Sequence, residues 1–186
     1  MVDELEWIIE AFHPKDVEMA DDNFFVSSER VGAFCEEVMA RGLSFKWAGN
    51  CRFDYFAEYK DDFIERLKSS GCYLLCFGGE SGSDRILNYL NKKLTRQQIV
   101  ESVKKAKYHH LQIQISFMSG FPGETQEDIQ STLSLIDEIQ RVYPSTEING
   151  FFIYTPYPGS ALFDEIRRLG FQPPETLEEW GRFDPN

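Results

Sequence analysis

From one end to the other, the chain alternates between short runs rich in β-branched and aromatic residues and longer stretches whose apolar residues recur at helical spacing. Parallel strands joined by crossover helices need that alternation, because each connection must return the chain to the same end of the sheet. Leu5, Ile8, Ile9 and Phe12 predict an opening helix closed by Pro14, and Val17 to Ala20 is the first strand. From Ser28 a helix carries Val31, Phe34, Cys35, Val38 and Met39 on one face, and Gly42 stands where it ends. Leu43 to Ala48 reads as the second strand, followed by a helix with Phe63, Ile64 and Leu67 that ends at Gly71. Cys72 to Phe77 is an unbroken apolar run suited to a third strand buried on both faces. Thr95-Arg96-Gln97-Gln98 reads as a capping box for a helix bearing Ile99, Val103 and Ala106, and Leu111 to Met118 gives the fourth strand. Thr125 to Asp128 resembles a second capping sequence, for a helix bearing Ile129, Leu133 and Ile136. Ile148 to Tyr154 is the fifth strand, and a last helix starts near Ser160.

Five strands, each followed by a helix, predict an α/β fold: a partial TIM-type parallel (β/α) barrel with flanking helices. The chain opens on a helix that in such an alternation should itself follow a strand, so the first strand of the barrel is expected to be missing. An open strand edge there favours self-association. Residues 1–171 are expected to form the barrel core, and 172–186, proline-rich and acidic, a tail or the start of a following segment.

A formal charge of -12 gives no broad attraction to phosphate backbones or anionic lipid, so neither nucleic acid nor membrane is an expected partner. No apolar run approaches the roughly 20 residues of a spanning helix, and the N-terminus is acidic where a signal peptide is basic. A cytoplasmic location is expected. Cys35, Cys51, Cys72 and Cys76 are too few and too embedded in apolar segments for a disulfide framework, and they are expected to be reduced.

In parallel β/α folds ligands bind at the carboxyl ends of the strands. The residues that follow the five strands are Asp21-Asp22-Asn23, Asn50-Cys51-Arg52, Gly78 to Ser83, Gly120 to Thr125 and Thr155 to Ser160. Any one of these tips also reads as a turn with a helix cap. In the third, the glycines allow close backbone approach and Glu80 offers a carboxylate to hydroxyls or an ammonium, unless it pairs with Arg52 across the mouth. His13, His109 and His110 fall at helix ends on the opposite rim, and Glu124 and Asp128 read as helix N-terminal charges.

Four segments carry a family resemblance: Asp21-Asp22-Asn23-Phe24, Gly79-Glu80-Ser81-Gly82-Ser83 with Ile86-Leu87 and Asn91-Lys92, Gly120 to Thr125 with Asp128, and Thr155-Pro156-Tyr157-Pro158-Gly159-Ser160. In order, they resemble the strand-end motifs of radical S-adenosylmethionine (SAM) enzymes, in particular the subgroup associated with a cobalamin-binding domain, the class C-like cyclase and methyltransferase relatives. The resemblance implies SAM and a 4Fe-4S cluster as cofactors, and cobalamin through an upstream domain. It also implies a small-molecule substrate, a reductant such as flavodoxin or ferredoxin, and cleavage of SAM to a 5'-deoxyadenosyl radical. By the same analogy the cofactor-binding residues are Glu80, Ser81, Gly82, Ser83, Gly120, Pro122, Gly123 and Tyr154, while Asp21, Asp22, Arg52 and Tyr157 orient substrate or SAM. The family's CxxxCxxC cluster loop has no counterpart: Cys72 and Cys76 have its first spacing, but Phe77, Gly78 and Gly79 follow, and both lie within an apolar strand. No metal ligand and no catalytic residue is assigned, and the chain by itself is expected to be inactive. Two other readings fit the residues less fully: a metal-dependent barrel hydrolase using Asp21, Asp22 and Glu80, and a non-catalytic module that binds SAM or a partner.

Overall fold

The computed structural model describes residues 1–21 and 23–183. The first helix, α1 (Val2–Phe12), leads into strand β1 (Val17–Met19), and a single 3-10 turn at Phe24–Val26 precedes α2 (Ser28–Ala40). The Ser27 hydroxyl caps α2 by accepting from the Arg30 amide at 3.1 Å. Strand β2 (Trp47–Asn50) comes later than the expected Leu43 to Ala48. Gly42 turns the chain with φ at 66° and the Leu43 amide bonds back to Val38, so the ladder starts only where the Trp47 amide donates to Gly71 at 3.0 Å. Two helices then occupy the interval assigned to one, α3 (Phe53–Glu58) and α4 (Asp61–Ser69).

Strand β3 (Cys72–Glu80) runs three residues beyond the expected Phe77, because Gly78 and Glu80 continue the pairing with the next strand. After it come α5 (Asp84–Tyr89) and α6 (Arg96–Tyr108), the latter opened by the expected capping box between Thr95 and Gln98. Strand β4 (Gln112–Ser119) precedes α7 (Gln126–Val142), whose capping box joins Thr125 and Asp128. Strand β5 (Glu147–Ile153) ends one residue before Tyr154, and α8 (Phe163–Arg168) starts later than Ser160, whose hydroxyl is used in a turn by donating to the Tyr157 carbonyl at 2.7 Å. The tail forms a short helix, α9 (Leu177–Trp180), and Phe183 packs on Trp180 and Phe171.

The five strands form one parallel sheet in the order β1-β2-β3-β4-β5, the arrangement of a partial β/α barrel. Its two faces differ sharply. Trp47, Leu75, Phe77, Ile113, Ile115 and Phe117 are buried under the helices. Trp47 is fully buried, with Phe24 and Phe34 packed edge-on at 5.8 and 5.5 Å and its indole N–H donating to the Ser70 carbonyl at 3.1 Å. The opposite, concave face is polar: Asn50, Cys76, Gln114 and Glu147 stand at one register level on four adjacent strands.

Three expected apolar contacts are not made. Phe12 and Met39 are exposed, Phe12 lying edge-on to the exposed Trp7. On α7 the buried side chains are Asp128, Thr132, Leu135 and Ile139, and Leu133 is exposed. That helix is rotated so that Thr132 meets the loop after β3, where Gly82 admits no side chain: a Cβ there would lie 2.5 Å from the Ser131 carbonyl oxygen. Among the described residues no helix is long and apolar enough to cross a membrane.

Candidate active site

A cavity of about 330 Å3 opens on the concave face towards the carboxyl ends of β1 to β5. Glu80 stands at its rim as the last residue of β3, with φ at 57°, a left-handed conformation that costs a side-chain-bearing residue energy and is held here by its surroundings. The carboxylate folds back over Gly78, where a Cβ would come within 2.6 Å of Glu80 Oε1. Lys92 donates to Oε1 at 2.7 Å, and among the described residues Oε2 accepts no hydrogen bond. Glu80 therefore pairs with Lys92 and not with Arg52. Arg52 also lines the cavity but is engaged side-on by Asp54, Nε to Oδ1 at 2.9 Å and Nη2 to Oδ2 at 2.8 Å. The pair raises the guanidinium pKa and lowers that of Asp54.

Ser81, Gly82 and Ser83 turn from the cavity to α7. Ser81 Oγ lies 3.1 Å from Thr132 Oγ1, and the Gly82 amide donates to the same oxygen at 2.9 Å. Ser83 Oγ donates to Asp128 Oδ1, as does Arg85 to the same buried carboxylate, which also accepts from the Thr125 amide at 2.9 Å. The Arg85 guanidinium first, and then these hydrogen bonds, hold Asp128 well below the ordinary carboxylate range. The loop is thereby latched to the start of α7.

At the end of β4, Gly120 and Gly123 have φ of 84° and 68° and flank Pro122. The Gly120 amide donates to Glu124 Oε2 at 2.6 Å, while Glu124 Oε1 is buried and has no partner among the described residues. Tyr154 packs on Phe121 of this loop at 5.3 Å. Tyr157 is exposed beside Trp180. Asp21 is exposed and 3.6 Å from Arg30, and Asp22 lies outside the described residues. His13, His109 and His110 all sit at helix ends, with His109 buried between Asp61 and Glu65.

The cavity also contains residues that strand-end reasoning does not reach. Glu18, Cys76, Gln114, Ser116 and Asn149 lie within strands, with side chains on the concave face. The available signal was the strict alternation Gln112-Ile113-Gln114-Ile115-Ser116-Phe117, whose period of two marks a strand with one wet face. Cys72 is buried as expected, whereas Cys76 faces the cavity.

Comparison with known proteins places this architecture. Residues 47–136 match the model of the radical SAM superfamily, and over that segment the chain is similar to this superfamily. An uncharacterized methyltransferase of Pyrococcus horikoshii is 32% identical over 164 residues, which is 88% of this chain and 34% of that protein. The anaerobic magnesium-protoporphyrin IX monomethyl ester cyclase of Cereibacter sphaeroides is 25% identical, covering 90% of this chain and 27% of that protein. In fold, the chain is similar to the radical SAM methyltransferase TsrM from Kitasatospora setae, with a TM-score of 0.63 and 17% identity over 75% of this chain and 28% of that one. The chain thus spans about a quarter to a third of the length of these curated relatives.

The family's cofactors are SAM and a 4Fe-4S cluster. The strand ends fit a nucleoside: an open-faced carboxylate at Glu80, bare backbone at Gly78 and Gly120, and a buried acceptor without a donor at Glu124 Oε1. They do not fit the cluster. Cys35, Cys51 and Cys72 are buried; of the two thiols that line the cavity, Cys51 and Cys76, only Cys76 is partly exposed; and among the described residues no three His, Cys, Asp or Glu side chains are grouped to hold a metal.

Proposed function

We propose that these 186 residues are the SAM-binding part of a radical SAM enzyme, acting on a small molecule with a cluster whose ligands lie outside them. The observation that carries the reading is Glu80, fixed at the mouth of a polar half-barrel by Lys92 with one carboxylate oxygen left open. That oxygen accepts from the ribose hydroxyls of SAM. The Gly120 to Gly123 backbone flanks the adenine, whose amino group supplies the donor that Glu124 Oε1 lacks. Ser81, Gly82 and Ser83 act by holding the Glu80 loop against α7, and Tyr154 supports the Gly120 loop through Phe121. By the family analogy Arg52, Asp21, Asp22 and Tyr157 are the groups that orient substrate or SAM, Arg52 from the lining of the cavity. Radical chemistry belongs to the cofactors; the share of this chain is to position the nucleoside and keep water from it.

The family resemblance adds to the proposal a partner domain in the same polypeptide, cobalamin-binding in the subgroup the motifs resemble, and a flavodoxin or ferredoxin as reductant. Residues 1–171 supply the barrel core and 172–186 the segment that follows it. Four free cysteines agree with a reducing, cytoplasmic setting. The barrel-hydrolase reading is disfavoured because Asp21 and Glu80 are each engaged by a cation, Arg30 and Lys92.

Calorimetric titration with SAM and with S-adenosylhomocysteine tests the proposal. One site per chain is expected, with affinity lowered about tenfold or more in Glu80→Gln, the loss of one charge-assisted hydrogen bond. Absence of binding, or binding indifferent to Glu80, overturns it.

A further inference from the structure

The floor of the cavity lies deeper than the nucleoside rim. Cys76 and Gln114 are two residues below Gly78 and Ser116 on their strands, about 7 Å further into the half-barrel. On the β1 side of the cavity, from the floor at Glu18 up to Asn23 just after the strand, the free hydrogen-bonding groups are acceptors. Glu18, on the concave face of β1, has neither an ion pair nor a hydrogen bond among the described residues, although it lines the cavity. Asn23 Oδ1 is buried without a partner among them, while Nδ2 of the same side chain donates to Tyr55 Oη at 3.5 Å. Glu147 flanks the opposite side of the row and accepts from Gln114 Nε2 at 3.0 Å. Glu18 and Glu147 both add to the burial that raises the Cys76 thiol pKa, so both fields reach the centre of the floor.

The cations of the lining are already committed, Arg52 to Asp54 and Lys92 to Glu80. A carboxylate or phosphate entering the cavity therefore finds no unengaged positive charge among the described lining residues, and on the floor it meets an unpaired carboxylate. An ammonium or guanidinium meets acceptors that nothing else satisfies. Leu94 also lines the cavity and gives the body of such a ligand an apolar contact.

We propose that the β1 side of the cavity is a substrate subsite for a cationic, donor-bearing group, an amine or guanidinium on an apolar body, with Glu18 on the floor and Asn23 above it as its specificity-determining residues. This rests on the SAM reading for the rim above it.

Benzylamine, benzyl alcohol and benzoate share one ring and differ in charge, so ligand-observed NMR titrations of the 186-residue chain read the floor directly. Benzylamine is expected to bind about tenfold or more tightly than either, with that preference shrinking as salt is added. Glu18→Gln, an exposed position on an edge strand that tolerates the change, lowers benzylamine affinity about tenfold and leaves benzyl alcohol unchanged. Benzoate or benzyl alcohol binding as well as benzylamine, or a benzylamine affinity indifferent to Glu18, overturns the proposal. S-adenosylhomocysteine titrated into the same samples separates the two readings. Its binding without an amine preference removes the cationic subsite and keeps the rim, whereas an amine preference without its binding upholds the subsite and removes the SAM reading.

Discussion

Ser83 Oγ donates to Asp128 Oδ1 at 2.5 Å across 45 residues of sequence, fastening the loop after β3 to the first turn of α7. One carboxylate thereby serves two purposes, closing the capping box with Thr125 and anchoring the loop that begins at Glu80. The two strand ends assigned to the nucleoside are held in register through it.

Asp128 makes stability depend on acid. Its pKa is held below the unfolded value of about 4, so its contribution is fully present above that pH and is lost as pH falls towards the folded value. The melting temperature of the wild type is expected to fall between about pH 4 and pH 2 more steeply than that of Asp128→Asn. At neutral pH the variant is expected to be less stable by about 2 kcal/mol, from the loss of charge-assisted bonds. Parallel melting curves over that pH range in thermal circular dichroism contradict the assignment.

Two glycine substitutions separate close packing from backbone conformation. At Gly82 a methyl group meets the Ser131 carbonyl oxygen at 2.5 Å and Thr132 Cα at 2.6 Å, so Gly82→Ala is expected to cost about 3 kcal/mol and to weaken nucleoside binding as the latch shifts. Gly123 has open space around it and only its φ of 68° to protect, so Gly123→Ala costs about 1 kcal/mol. Urea denaturation of both variants checks the order, and equal costs contradict it.

On the proposed SAM reading, Glu80 is kept for function at some local expense. Glu80→Gly relieves the left-handed backbone by about 1 kcal/mol and removes an ion pair worth about as much, leaving stability within about 1 kcal/mol of the wild type. Affinity for S-adenosylhomocysteine is nevertheless expected to fall about tenfold or more. A variant that unfolds, or that binds undiminished, contradicts this account of the residue.

Of the four thiols, Cys76 alone is partly exposed. Burial raises its pKa, with Glu18 and Glu147 adding to the effect, so its reaction with iodoacetamide at neutral pH is expected to be slow and to quicken as pH rises. Cys35, Cys51 and Cys72 are expected to stay unmodified in the folded chain. Peptide mapping by mass spectrometry checks both, and modification of Cys51 before Cys76 contradicts the placement of the floor.

Much of the fold was legible because its signals are local. Thr95 with Gln98, and Thr125 with Asp128, fixed two helix starts through hydrogen bonds that span only three residues. The second strand was misplaced because Leu43 to Phe45 have strand-like composition, yet pairing is decided by a distant partner, the Gly71 carbonyl that receives Trp47. The rotation of α7 likewise depends on a contact with Gly82, 50 residues away. Of the cavity lining, Glu80 and Arg52 were legible because the expected strands end before them, while Glu18, Cys76 and Gln114 were not, since strand interiors were read only for their apolar content. Ser81 and Ser83 show the converse: hydroxyls at a strand end are available to a ligand or to a neighbouring helix, and only the position of Thr132 and Asp128 shows which takes them here.

The most direct measurement is a crystal structure of the chain with S-adenosylhomocysteine. The account predicts the nucleoside between the ends of β3 and β4, its ribose hydroxyls on Glu80 Oε2 and its adenine against Gly120 to Gly123. A nucleoside bound anywhere else, or one that touches neither Glu80 nor the Gly120 loop, contradicts it.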